Sequence, residues 1–228
     1  SQQNEFAPIG AKWYYEYNNL LSFGYIKIES IGDTVIQAKT CKILQKTSFG
    51  YTWPGYYDTI SMGREYVYSE SNAVYFFRKN QFYSLFEFGP INTSWQVVGN
   101  SFFNNIDSGI VYIDSVDVEL IDGILRNVAY VKSTPQSCIG WANAKIIEGI
   151  GVVNDYFFPD YIDCVFDANE GGAFRCYYFE DSLIYSTTND NYCDFIQNIE
   201  NHDNTQIYIY PNPCTDILNI QIHSFIDN

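Results

Sequence analysis

Apolar and polar residues alternate with a period of two over much of this chain. In residues 24–31, Ile26 and Ile28 fall on one face and Lys27 and Glu29 on the other, as a half-buried strand requires. Gly32-Asp33 then reads as a turn. Residues 34–47 read as a second long strand, with a break in alternation near Lys39-Thr40-Cys41 that marks a bulge. The clearest hairpin spans 111–131. There Val116, Val118 and Leu120 alternate with Ser115, Asp117 and Glu119, and Asp122-Gly123 supplies a glycine that accepts positive φ. Residues 66–68, 74–77 and 82–88 predict three further strands between short polar turns. Residues 174–179 and 183–187 predict another hairpin, about Glu180-Asp181. No window carries an i, i+3, i+4, i+7 stripe over three turns, and residues 194–200 offer at most one helical turn. The expectation is an all-β domain, an antiparallel meander closed as a barrel or split into a two-sheet sandwich, with a short β tail.

Composition strengthens that reading. The 21 Tyr and 17 Phe suit sheets, where aromatic cross-strand pairs contribute roughly 0.2–1 kcal/mol each. Residues 197–206 are polar and lack the apolar surface to offset their ordering entropy, so they read as a linker. The chain then divides into a β-rich domain at 1–196, the linker at 197–206, and a second short β segment at 207–228. The 12 Lys and Arg against 27 Asp and Glu give a net charge of −15. Nucleic acid and anionic membranes would repel such a surface. No apolar run reaches the ~18 residues that a membrane span needs.

Six cysteines fit an oxidising, exported setting. Cys164 and Cys176 flank the turn-forming residues 167–172, and a hairpin about residue 170 would set them face to face. Cys176 with Cys193 is the competing pairing, and six reduced, buried thiols are the third option. No C-x-x-C occurs and both histidines lie far from any cysteine pair, so zinc is not expected.

The candidate chemistry is sparse. His202 lies in the linker and His223 in the tail, so neither is placed to act as base for a Ser or Cys nucleophile in the main domain. A carboxylate pair needs no histidine. Glu148, Asp155, Asp160 and Asp163, near the aromatic residues Trp141, Tyr156, Phe157 and Phe158, are weak candidates for glycoside hydrolysis. Glu148 sits in an apolar run and needs a partner; an ion pair with Arg64, Arg126 or Arg175 outweighs a catalytic role there. Residues 51–57 read as an aromatic loop, and Trp53, Tyr56, Tyr57 and Trp141 are the candidate ligand-binding residues, as rings that stack on sugars. No cofactor is expected. Calcium is the one ion left open, through the oxygen-rich segments 167–170 and 189–194, neither of which matches an EF-hand loop. No Gly-rich phosphate loop joins a strand to a helix.

One segment has a family likeness. Tyr210, Pro211, Asn212 and Pro213, followed by the alternating Ile217, Leu218 and Ile220, resemble the opening of the C-terminal sorting domain of type IX secretion cargo. The two prolines fix φ and remove donors, so this segment cannot merge with a preceding sheet. That domain normally runs several strands further, so only a truncated start is expected at 207–228. The body, with Gly10-Ala-Lys-Trp-Tyr-Tyr15, Ala73-Val-Tyr-Phe-Phe77 and Ile147-Glu-Gly-Ile-Gly151, resembles uncharacterised exported β-rich proteins that carry such tails. The resemblance implies a mature protein, freed of its signal peptide, secreted from or displayed on a Gram-negative cell, with the secretion machinery as a partner of the tail. The expected function is a non-enzymatic binding module for a glycan or a surface protein. A carboxylate-based cell-surface glycoside hydrolase and a structural component of the cell surface are the alternatives.

Overall fold

The computed structural model describes residues 5–19, 22–52, 56–99, 108–162, 170–188, 193–196, 205–210 and 219–224. All regular structure among them is β; they contain no helix. The chain divides into two compact units, 1–196 and 197–228.

In the first unit the strands are β1 (Lys12–Asn19), β2 (Ser22–Ile36), β3 (Lys39–Thr52), β4 (Tyr56–Glu70), β5 (Ala73–Arg78), β6 (Gln81–Glu87), β7 (Ser94–Val98), β8 (Ser108–Ile121), β9 (Ile124–Ser133), β10 (Ile139–Gly140), β11 (Ala144–Ile147), β12 (Gly151–Val152), β13 (Asp160–Tyr161), β14 (Phe174–Phe179) and β15 (Ser182–Ser186). Eight of them form one antiparallel sheet in the order β15-β14-β1-β2-β3-β4-β5-β6. Five form a second sheet, β12-β11-β9-β8-β7, and β10 pairs with β13. Among the described residues the larger sheet ends at β15 and β6 without closing on itself, an arrangement consistent with an antiparallel sandwich.

Both sheets bury one core. The larger contributes Trp13, Tyr15, Ile26, Ile28, Leu44, Phe76 and Phe86; the smaller contributes Val97, Val111, Ile113, Val131 and Ile146. Phe157 packs among them, 5.3 Å from the Trp13 ring and 5.7 Å from Phe86. It belongs to a largely irregular stretch between β11 and β13 that is buried nonetheless. Buried carbonyls need donors, and aromatic side chains supply them. Trp13 Nε1 donates to Ile150 O (2.7 Å), Tyr15 Oη to Val152 O (3.0 Å), and Trp141 Nε1 to Tyr156 O (2.9 Å).

Several local expectations are corrected. The turn expected at Gly32-Asp33 lies at Gln37-Ala38, and β2 runs straight through Gly32. Both turn residues have positive φ, 48° and 64°, the signature of a tight hairpin turn. The ladder shifts between Ser30 and Gly32 and between Gln45 and Thr47, not at residues 39–41. The Asp122-Gly123 turn forms as expected, with φ of 49° and 74°. In β8, however, the ladder shifts between Ile113 and Ser115, and Val116, Val118 and Leu120 are exposed to solvent. Residues 193–196 are not helical, and 197–200 lie outside the described residues.

The expected hairpin about residue 170 is replaced by other pairings. β14 lies between β1 and β15, and Cys176 is joined to Cys193. Cys164 lies outside the described residues. Cys138 is also disulfide-bonded, whereas Cys41 is a free, buried thiol.

The second unit contains an antiparallel pair, β16 (Thr205–Tyr210) and β17 (Asn219–Ser224), with Tyr210 opposite Asn219. Pro211, Asn212 and Pro213 lie outside the described residues.

Candidate functional site

Strand alternation that sends Trp13, Tyr15, Ile26 and Ile28 into the core sends Tyr14, Phe23 and Tyr25 to the opposite face of the large sheet. The ladders set Tyr25 opposite Phe49, Phe23 opposite Tyr51, and Tyr51 opposite Tyr57. These pairs touch. Tyr25 and Phe49 stack at 4.9 Å, Phe23 and Tyr51 stack at 5.5 Å, and Tyr57 meets Tyr51 edge-on at 5.6 Å. Tyr14 lies 5.9 Å from Tyr25 and from Tyr178. The outer face of β14, β1, β2, β3 and β4 therefore carries a continuous aromatic surface, roughly 19 Å across by strand spacing. Gly24 and Gly50 face each other between the two stacked pairs. A Cβ on Gly24 would fall 2.0 Å from Phe49 O, and one on Gly50 would fall 2.2 Å from Phe23 O. Only glycine permits the close backbone approach beneath these rings.

Part of this surface is covered. Arg175 places its guanidinium over the rings of Tyr25 (5.8 Å) and Phe195 (4.4 Å) and donates to the carbonyls of Gly24, Cys193 and Phe195. With the Cys176–Cys193 disulfide, it fastens residues 193–195 to the sheet. Tyr25 is buried, and burial, with Asp194 nearby, pushes its phenol up to about 12. Beyond this strap, Phe23 (39% exposed) and Tyr57 (53%) stay open on either side of the half-buried Tyr51.

The expected aromatic group is thus redistributed. Tyr56 and Tyr57 belong to β4, not to a loop, and adjacent strand residues face opposite ways. Tyr57 joins Tyr51 and Phe23; Tyr56, although 72% exposed, points to the other face. Trp53 lies outside the described residues. Trp141 is 1% exposed and spends its indole N–H on Tyr156 O, so it is a core residue and not a stacking platform.

Each candidate carboxylate among the described residues has its own hydrogen-bond partners. Glu148 accepts from Asn127 Nδ2 (2.7 Å) and Asn127 N (3.2 Å), while Arg126 Nη1 donates to the Glu148 main-chain carbonyl. Asp155 accepts from Tyr156 N, and burial pushes its carboxyl up. Asp160 accepts from the main-chain N–H groups of Tyr161 and Glu170; burial raises it to about 6 against the opposing pull of those bonds. Asp163 lies outside the described residues.

A charged network that sequence reasoning missed forms beside Asp160. Lys46, 2% exposed on the core face of β3, donates to Glu65 (3.0 Å) and Glu170 (2.5 Å) and lies over the Phe158 ring. Arg78 Nη2 donates to the same Glu65 oxygen (3.1 Å), and Tyr156 Oη donates to Glu170. The buried acids Glu65 and Asp160, with half-buried Glu170, are thus engaged by cations or N–H groups. The signal was available: Leu44, Lys46 and Ser48 share the inward phase of β3.

Among the described residues, no group of three or more His, Cys, Asp or Glu could hold a metal ion, and no helix is long and apolar enough to cross a membrane. Most of both calcium-suggestive segments lies outside those residues. No family model, curated protein or solved structure matches the chain.

Proposed function

We propose that this chain is a non-enzymatic binding module of a secreted or cell-surface protein, and that its ligand is a glycan stacked on the open rings of Phe23, Tyr51 and Tyr57. The observation that carries this reading is the aromatic row itself, left uncovered on a rigid sheet. Aromatic side chains in a core are buried; rings aligned on an outer face hold apolar surface against water at a cost that a stacking ligand offsets. Of the candidate hydrolase acids among the described residues, Asp155 and Asp160 accept from main-chain N–H groups and Glu148 from Asn127, while Lys46 and Arg78 engage the neighbouring Glu65 and Glu170. Export through a type IX-like route, directed by Tyr210–Pro213, is part of the same proposal and rests on the motif in the tail.

The test is a glycan array followed by calorimetry on the strongest hit. Tyr57→Ala should weaken binding about two- to tenfold, the value of one aromatic contact. Tyr56→Ala, on the other face of β4, should leave it unchanged. An empty array, or equal effects of the two substitutions, would contradict the proposal. For the export half, Pro211→Ala/Pro213→Ala in a host with type IX secretion should trap the protein inside the cell; undiminished secretion would count against it.

The alternative of a structural or assembly component draws on a different observation, the exposed ridge of Val116, Val118, Leu120 and Leu125 on the β8–β9 hairpin. Sedimentation of the intact chain separates the readings, since assembly requires concentration-dependent self-association and glycan binding does not.

A further inference from the structure

Away from the aromatic row, a cleft of about 370 Å³ opens between the β4–β5 turn and the end of β11. Its size falls within the ~300–1,000 Å³ of small-molecule sites. Phe6, Ser71, Phe88, Asn127, Glu5 and Glu148 are among its walls. Two features set its chemistry. First, Glu148 is fixed in place: its N–H donates to Asn127 O (2.9 Å), its carbonyl accepts from Arg126 Nη1 (2.9 Å), and its Oε2 accepts both Asn127 N and Asn127 Nδ2. These bonds engage one carboxylate oxygen; among the described residues Oε1 has no hydrogen-bond or ion-pair partner. Second, no Lys, Arg or His is among the described residues that line the cleft. The other carboxylate there, Glu5, is already paired with Lys42 (2.9 Å).

A carboxylate held at the wall of a cleft, with one oxygen unengaged among the described residues, no cation in the cleft lining, and the neighbouring Arg126 bonded to its main-chain carbonyl, can still take up a positive charge. An anion is repelled there. An apolar ligand would strip water from Glu148 without replacing its hydrogen bonds. A positively charged donor supplies both a counter-charge and hydrogen bonds, and the net charge of −15 favours its approach. We propose that this cleft is a binding site for a small primary-ammonium ligand whose charged nitrogen donates to the free oxygen of Glu148. The hydroxyl of Ser71 and the ring of Phe88 offer the rest of such a ligand a polar and an apolar wall.

Calorimetry on the intact chain tests this with putrescine, 1,4-butanediol and succinate, which place a cation, a neutral hydroxyl or an anion at the ends of short flexible chains. Putrescine should bind, more weakly as salt rises, and the other two should not. Glucosamine and N-acetylglucosamine, run in parallel, distinguish a free amine from an amino sugar as the source of the ammonium group. Binding of glucosamine beyond putrescine assigns the amino sugar, and the reverse assigns the free amine; loss with the acetylated form is expected in either case. Glu148→Gln should weaken the interaction about tenfold or more, because it removes the charge that the ammonium group meets. Ser69→Lys, at an exposed position on the same wall, supplies a competing cation and should have the same effect even if Glu148→Gln disturbs the fold. Tyr57→Ala should not change it, which separates this site from the aromatic row. Equal binding of butanediol, binding of succinate, the absence of any amine binding, or unaltered affinity in the Ser69→Lys chain would overturn the proposal.

Discussion

Arg175 donates to the carbonyl of Phe195 at 2.6 Å and lies 4.4 Å from the centroid of the same residue's ring. A guanidinium satisfies both contacts because it donates in its plane and stacks through its face. The Cys176–Cys193 bond, 17 residues apart in sequence, reinforces the attachment. Replacing both cysteines with Ala should cost about 3 kcal/mol, as expected for a loop of this length. Denaturant unfolding measures it. Loss of the strap should also lower the Tyr25 phenol from about 12 towards its ordinary value as its burial is relieved, which NMR titration of the labelled ring would detect.

Lys46 is the buried cation on which two carboxylates depend. Lys46→Met keeps the stem but leaves Glu65 and Glu170 without it. The expected loss is about 3–5 kcal/mol, the usual cost of removing one member of a buried ion pair. Adding Glu65→Gln should recover part of this loss, which a double-mutant cycle in urea would reveal.

At the β2–β3 turn, Ala38 holds φ at 64°. A Cβ in that region costs roughly 1–2 kcal/mol, against which the added freedom of glycine in the unfolded chain works. Ala38→Gly should therefore stabilise the protein by about 0.5–1 kcal/mol, read as a raised melting temperature.

Asp160 introduces a pH dependence. Its folded carboxyl is raised to about 6, chiefly by burial, so the folded state holds a proton that the unfolded chain has released. Its contribution is fully present below about pH 4 and is lost as pH rises towards 6. The stability of the wild type relative to Asp160→Asn should fall by about 1–3 kcal/mol between pH 4 and pH 7. A constant difference between the two proteins across that range would refute this assignment.

Much of the sandwich was legible in the sequence because alternation and turn chemistry agreed. Asp122-Gly123 carries the positive φ on a glycine, so its hairpin could be read directly. Gln37-Ala38 carries the same geometry on residues that do not announce it, and the nearby Gly32-Asp33 drew the turn instead. The register shift at Ile113–Ser115 was invisible, and so was the exposure of Val116, Val118 and Leu120 beyond the core. For the site, the sequence pointed to Tyr57 and to the aromatic segment that begins at Tyr51, but it read that segment as a loop and missed Phe23, because the row depends on cross-strand register. Trp141 misled because an indole that donates to a buried carbonyl and one that stacks on a ligand look alike in sequence. Lys46 was overlooked because its charge suggested solvent while its phase in β3 pointed inward.

The central claim is that the row Phe23–Tyr51–Tyr57 receives the ligand. Aromatic NMR resonances of the intact protein, followed during titration with the oligosaccharide selected on the array, test it most directly. The account predicts saturable shifts in the rings of Phe23, Tyr51 and Tyr57, with Tyr56 and the core rings of Trp13 and Trp141 unmoved. Shifts confined to any other surface, with these three rings silent, would contradict it.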